Sequence, residues 1–243
     1  MRNRILIAVC FISVVVGQLS FTSHEISSSL EWGGTSVYAI DVDSDGDIDM
    51  LTTDQQNDKI SWYENDGSEN FTEHAINNYD TDGYNTGAEG DADGAHRVYA
   101  IDVDGDGDID ILSASYKDDK IAWYENDGSE NFTQHVITTN ADFAYDVKAI
   151  DLDSDGDIDI LSASGYDATV SWYENDGSEN FTEHTITTSA TGANIVHALD
   201  LDGDGDIDVI SRDGATSVWF ENDGSENFTE NQLPAISGGD NCY

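Results

Sequence analysis

Positive charge and cysteine are both scarce in this 243-residue chain. Lys and Arg together number 8 against 51 Asp and Glu, which gives a formal net charge of −43. So acidic a chain repels phosphate backbones and anionic lipid, and this sets aside nucleic-acid and membrane-surface partners. Only two cysteines are present, Cys10 and Cys242. Cys10 falls within an N-terminal apolar segment, so Cys242 is the one thiol expected in a mature chain, where no intrachain disulfide can then form. The one long apolar run, residues 5–16 (ILIAVCFISVVV), is short for a membrane span. With Arg2 and Arg4 before it and Gly17, Gln18 and Ser20 after it, residues 1–20 read as a secretory signal peptide. No membrane span is expected in the mature chain. No stretch sustains a 3.6-residue apolar period, which disfavours helix throughout.

What is present is repetition. Hydrophobic residues make up 38% and aromatics 10%, enough to form a core rather than a solvated tail. DVDSDGDID begins at Asp41, DVDGDGDID at Asp102, DLDSDGDID at Asp151 and DLDGDGDID at Asp200, with spacings of 61, 49 and 49. A second block, WYENDGSENFT, begins at Trp62, Trp123 and Trp172 and returns as WFENDGSENFT at Trp219. The distance from first Asp to Trp is 21 in three units and 19 in the last. The longer first interval falls in the Gly-, Asp- and Asn-rich residues 77–97, which read as an enlarged loop. The chain therefore divides into a signal segment (1–20), a repeat domain (21–236) and a tail (237–243). The repeat units lie around 27–76, 77–137, 138–186 and 187–233.

Each unit carries four short apolar runs bounded by turn signals. In the first unit these are VYAID from Val37, IDML from Ile48, KISWYE from Lys59 and FTEHAI from Phe71, the last two joined by Asn65-Asp66-Gly67-Ser68. Four such strands in about 49 residues are the size of a propeller blade, so an all-β, propeller-like array of four four-stranded repeats is expected. The third residue of the first strand is alanine in every unit (Ala39, Ala100, Ala149, Ala198), as suits an innermost strand near a crowded axis.

The acidic loop has the form of a cation site. In Asp41, Asp43, Asp45, Asp47 and Asp49 the carboxylates at positions 1, 3, 5 and 9 can wrap one hard ion, and the glycine at position 6 permits the sharp turn. Position 7 usually contributes its backbone carbonyl, so Asp47 is the weakest side-chain candidate. The same set recurs as Asp102, Asp104, Asp106, Asp108 and Asp110; as Asp151, Asp153, Asp155, Asp157 and Asp159; and as Asp200, Asp202, Asp204, Asp206 and Asp208. An all-oxygen donor set without interleaved His or Cys points to Ca²⁺, about four ions in all, rather than to Zn²⁺ or the more rigidly octahedral Mg²⁺. The loop is not an EF-hand, because position 12 is Thr52, Ser113, Ser162 or Ser211 instead of Glu.

The D-x-D-x-D-G-D-x-D run followed by an apolar pair resembles the FG-GAP and VCBS-type repeats of integrin α-chain propellers and of many secreted bacterial surface proteins. The resemblance spans residues 21–233, although the Phe-Gly and Gly-Ala-Pro signatures are not visible. It implies a β-propeller in which calcium bridges the first two strands of each blade. Such propellers commonly have more blades than the four found here.

Other features carry weaker expectations. His24, His74, His135 and His184 share one position of the fourth strand and are expected to make strand-face hydrogen bonds rather than to ligate metal or catalyse. The repeated Trp fits core or inter-blade packing better than a sugar platform. Asn70, Asn131, Asn180 and Asn227 each head an Asn-Phe-Thr sequon, and Asp80, Asp82, Asp91 and Asp93 offer a weaker cation site. Residues 21–26 repeat the fourth-strand sequence, leaving a surplus strand able to cover an edge or join a neighbouring chain. No nucleophile–base constellation and no phosphate-cradling loop is present. The expected role is a secreted, non-catalytic binding, adhesion or assembly module with an extracellular protein or glycan as partner. A lectin-like propeller and a propeller enzyme acting on extracellular polymer are the alternatives.

Overall fold

The computed structural model describes Ile26 and residues 33–77, 92–213 and 216–233. The signal segment, the surplus strand at residues 21–26 apart from Ile26, Cys10, Cys242, the tail, and Asp80, Asp82 and Asp91 lie outside these residues.

Each repeat forms one antiparallel sheet whose strands stand in chain order. Blade one comprises β1 (Gly34–Ile40), β2 (Asp49–Asp54), β3 (Lys59–Asn65) and β4 (Phe71–Ala75). Blade two comprises β5 (Ala95–Ile101), β6 (Asp110–Ser115), β7 (Lys120–Asn126) and β8 (Phe132–Thr138). Blade three comprises β9 (Ala144–Ile150), β10 (Asp159–Ser164), β11 (Thr169–Asn175) and β12 (Phe181–Thr187). Blade four comprises β13 (Val196–Leu199), β14 (Asp208–Asp213), β15 (Thr216–Asn222) and β16 (Phe228–Gln232). No helix occurs among the described residues, and so none there could cross a membrane.

The first strands pack on one another from blade to blade, β1 on β5, β5 on β9 and β9 on β13, which makes them the innermost strands. The alanines of the two middle blades, Ala100 and Ala149, are buried there, whereas Ala39 is exposed and Ala198 half-buried. Among the described residues no contact of comparable extent returns from β13 to β1, so the four blades form an open arc. Three of the first strands begin earlier than the Val-led runs suggested: β1 at Gly34, β5 at Ala95 and β9 at Ala144. The loop after blade one accordingly ends before Ala95, and His96 and Arg97 belong to a strand.

Period-two alternation gives each blade two apolar faces, one for each neighbour. Val42, Leu51, Ile60 and Trp62 of blade one close on Ala95, Val98, Ala100, Ile111, Ala122 and Tyr124 of blade two. The same arrangement joins blades two and three through Leu112, Ile121 and Trp123, and blades three and four through Leu161, Val170 and Trp172. Trp62, Trp123 and Trp172 are at most 2% exposed, and Trp62 and Trp123 meet Phe132 and Phe181 of the next blade edge-on at 6.5 Å. Trp62, Trp123 and Trp172 are packing residues, as expected, and not exposed platforms, whereas Trp219 on the last blade is half-buried.

The two ends of the arc differ. On the first blade Val37 is 50% exposed, whereas its counterparts Val98, Val147 and Val196 are buried. On the last blade the outward face has turned polar. Arg212 and Ser217 pair across β14 and β15 where blade two has Ala114 and Ile121 and blade three has Ala163 and Val170. Leu201 on that side is 39% exposed, against 2% for Leu152. Burial therefore predicts that Leu112→Ala costs about 2–5 kcal/mol in urea unfolding. Leu201→Ala should cost under about 1 kcal/mol in the same measurement.

Candidate metal centre

The acidic loop joins β1 to β2 and its counterparts, at the same end of each blade as the Asn-Asp-Gly-Ser turn between the third and fourth strands. Its path is dictated by its own carboxylates. In the first loop Gly46 N–H donates to Asp41 Oδ2 at 3.0 Å, Asp45 N–H to Asp43 Oδ1 at 3.1 Å and Asp47 N–H to Asp45 Oδ1 at 2.8 Å. Position 6 needs glycine because φ is between 98° and 104° in all four loops. Position 4 is also left-handed. Gly105 and Gly203 suit it, whereas Ser44 and Ser154 adopt φ of 61° and 66° there.

The last carboxylate of the loop is buried and ties it to the sheet. Asp49 is 0% exposed; its Oδ2 accepts from Val42 N–H at 3.0 Å and its Oδ1 from Asn65 N–H on β3 at 2.8 Å. Asp110, Asp159 and Asp208 repeat both bonds. Asn65, Asn126, Asn175 and Asn222 return a side-chain bond to the carbonyl of Ile48, Ile109, Ile158 or Ile207.

In every loop three aspartates converge, with one oxygen from each lying within 4.8 Å of the others. They are Asp41, Asp43 and Asp45 in the first loop, and positions 1, 3 and 9 in the rest: Asp102, Asp104 and Asp110; Asp151, Asp153 and Asp159; Asp200, Asp202 and Asp208. These groups could hold a metal ion. The position-5 carboxylates Asp106, Asp155 and Asp204 accept from the position-7 N–H, as Asp45 does in the first loop. The position-7 side chains Asp47, Asp108, Asp157 and Asp206 lie over the glycine of the next turn, Gly67, Gly128, Gly177 and Gly224, where a Cβ would strike them.

The electrostatics favour a cation. Burial pushes Asp110 and Asp159 up to about 6 despite the backbone N–H groups that lower them. Burial and then the charges of Asp49, Asp45 and Asp41 raise Asp43. The ion pairs of Lys59, Arg97, Lys117, Lys120 and Lys148 run to Glu73, Asp146, Asp58, Asp93 and Asp118, none of them a loop residue. Asp41 Oδ1 and Asp151 Oδ1 are buried without a hydrogen-bond partner. Desolvated carboxylate oxygens lacking donors are what a bound cation satisfies.

The fourth-strand histidines make the strand-face bonds expected of them. His74, His135 and His184 stack on Trp62, Trp123 and Trp172 at 4.6 Å and hydrogen-bond Glu64, Glu125 and Glu174 at 2.7 Å. Asp93 pairs with Lys117 at 3.2 Å. Strand direction places a further group of residues, His96, Tyr145, Tyr166 and Asn194, around a cavity at the opposite end of the blades. Motif searching passes over these residues because they are not repeated. Their differences among otherwise near-identical units are the signal that could have found them.

Fold and loops together define a propeller-like β-repeat protein with acidic, metal-competent loops. Residues 102–162 and 151–211 match the FG-GAP-like repeat, which supports an FG-GAP-type repeat protein. No curated protein matches it. Among solved structures, a lectin of Agrocybe aegerita, described for specific recognition of non-reducing terminal N-acetylglucosamine, is similar with a TM-score of 0.56 at 19% identity. That similarity covers 88% of this chain and 57% of the lectin. A putative 6-phosphogluconolactonase from Bacteroides uniformis is similar with a TM-score of 0.53 at 13% identity, covering 88% of this chain and 59% of the other. The chain thus spans less than two thirds of either, and at these identities the likeness is one of fold.

The close approach of Asp108 to Gly128, together with φ of 70° there, yields a test. Gly128→Ala should destabilise the protein by about 1–3 kcal/mol in urea unfolding.

Proposed function

We propose that the chain is an exported, non-catalytic binding module whose four acidic loops each take one Ca²⁺, the ion bracing a blade. The observation that carries this reading is the fourfold convergence of three carboxylates, while the ion pairs of Lys59, Arg97, Lys117, Lys120 and Lys148 run to other acids. Asp110 and its counterparts would link ion, loop and third strand, because each already accepts two backbone N–H bonds. Ca²⁺ suits the all-oxygen set, which leaves room for carbonyls and water. Export is supported by the N-terminal sequence, and a binding role by the repeat family and the lectin's fold. The likeness to a lactonase gives a catalytic reading less support, since the fourth-strand histidines are already stacked on Trp and bonded to Glu.

Calcium titration tests the proposal. If each site has a Kd of about 1 mM, as extracellular modules often do, about 10 mM Ca²⁺ adds about 1.4 kcal/mol per site. Chelator should therefore lower the melting temperature, and Ca²⁺ should restore it better than Mg²⁺. A melting curve indifferent to both would defeat the proposal. Asp110→Asn retains a side-chain acceptor but removes a carboxylate, and calorimetry should find one fewer Ca²⁺ bound per chain than in the unaltered protein.

A further inference from the structure

The repeats are nearly identical at the loop end of the blades and diverge at the other. Where β1 and β5 carry Thr35 and His96, β9 carries Tyr145 and Asn194 precedes β13. The turn between the second and third strands reads Gln55-Gln56 in blade one, Tyr116-Lys117 in blade two and Gly165-Tyr166 in blade three. These departures surround a cavity of about 530 Å³ spanning blades two to four, within the size range of small-molecule sites.

One wall of the cavity is aromatic. Tyr166 is 75% exposed and stacks on Phe143 with centroids 5.4 Å apart, and Phe143 lies 6.3 Å from Tyr145. Phe143 stands where the neighbouring repeats have Gly94 and Gly192, and it adopts their left-handed conformation with φ of 58°. The scaffold clamps it there. Its N–H donates to Asp119 Oδ1 at 3.0 Å and its carbonyl accepts from Gly165 N–H at 3.1 Å. A bulky residue held at a glycine position is strain of the kind that collects at functional sites. Gly165 has been cleared for Tyr145, whose ring comes within 2.6 Å of where a Cβ would stand.

The polar part of the lining is short of partners. Asn194 Oδ1 is buried with no hydrogen bond. His96 Nδ1 donates to Tyr145 O at 2.8 Å, which leaves Nε2 as an acceptor, and burial holds the ring below its usual pKa and neutral. Arg97 pairs with Asp146 at 2.9 Å, a carboxylate that it shares with Lys148 at 3.5 Å.

We infer that this cavity binds a neutral sugar, its C–H face lying on the Tyr166–Phe143 stack and its hydroxyls bonded to Asn194 and His96. An aromatic wall beside a few unsatisfied polar groups is the surface that a pyranose, apolar on one face and hydroxylated at its rim, complements. The inference rests on the binding-module reading and assigns it a site and a ligand class.

Saturation-transfer NMR on the full chain in Ca²⁺ tests it, with glucose, galactose, mannose and the N-acetylhexosamines as probes and glucose 6-phosphate and choline as comparators. Transfer from aromatic protons to the ring protons of a neutral sugar is expected. Affinity should fall at least ten-fold in Tyr166→Ala and in Asn194→Ala, both with unaltered melting temperature. Phe143→Gly should lose binding while folding normally, since glycine suits that φ. Should no neutral sugar receive transfer, should either comparator bind more tightly, or should Tyr166→Ala bind like the parent protein, the assignment is wrong. Loss of sugar binding alongside chelator-sensitive melting counts against the site alone, whereas chelator-indifferent melting counts against calcium alone.

Discussion

A buried carboxylate that accepts two backbone N–H groups underlies each blade. Asp49, Asp110, Asp159 and Asp208 each fasten the start of the acidic loop and the end of the third strand to the second strand. Three segments of chain are thereby held by one ionisable side chain whose charge, in Asp110 and Asp159, burial opposes. Such a residue is stable as a charge only if further compensation is near, and the convergence of loop carboxylates around it creates a field that a cation would satisfy. The metal-competent loop and the blade architecture thus share one residue.

The division of labour along the strands follows from that fixture. At one end of every blade the sequence hardly varies, because loop, glycine positions and the Asn turn must all fit together. At the other end the first strands and the short turns carry no such constraint. Tyr116, Phe143, Tyr145 and Tyr166 gather there into a cluster of packed rings that includes stacked pairs at 6.4 and 5.4 Å. A rigid end and a variable end on one scaffold is the arrangement in which recognition can change without disturbing the fold.

Much of this was legible in sequence because the signals were both local and repeated. Strand alternation around Ile60 and Trp62, the Gly at position 6 and the alanines of the first strand each appear four times or nearly so, which turns weak preferences into firm ones. The fates of the position-5 and position-7 carboxylates were not legible. Whether Asp47 faces an ion or folds over Gly67 depends on a turn 20 residues away in sequence and adjacent only in space. The early starts of β5 and β9 were missed for a related reason: His96, Arg97, Tyr145 and Asp146 break the apolar pattern because they serve the cavity and the bridge between blades. Arg97 and Asp146 make a cross-blade ion pair that no periodicity announces.

An array of near-identical blades also carries a hazard. Any leading face complements any trailing face, so chains that dock as their own blades do would add head to tail into open-ended fibres. The last blade departs from the pattern on the face such growth would use. Arg212 and Ser217 stand where Ala163 and Val170 would otherwise continue the seam. Adding a chain there would press a guanidinium against Val and Ala side chains, and its desolvation opposes the apolar gain. Arg212 and Ser217 thus make that face of blade four less suited than its counterparts to apolar docking of another blade.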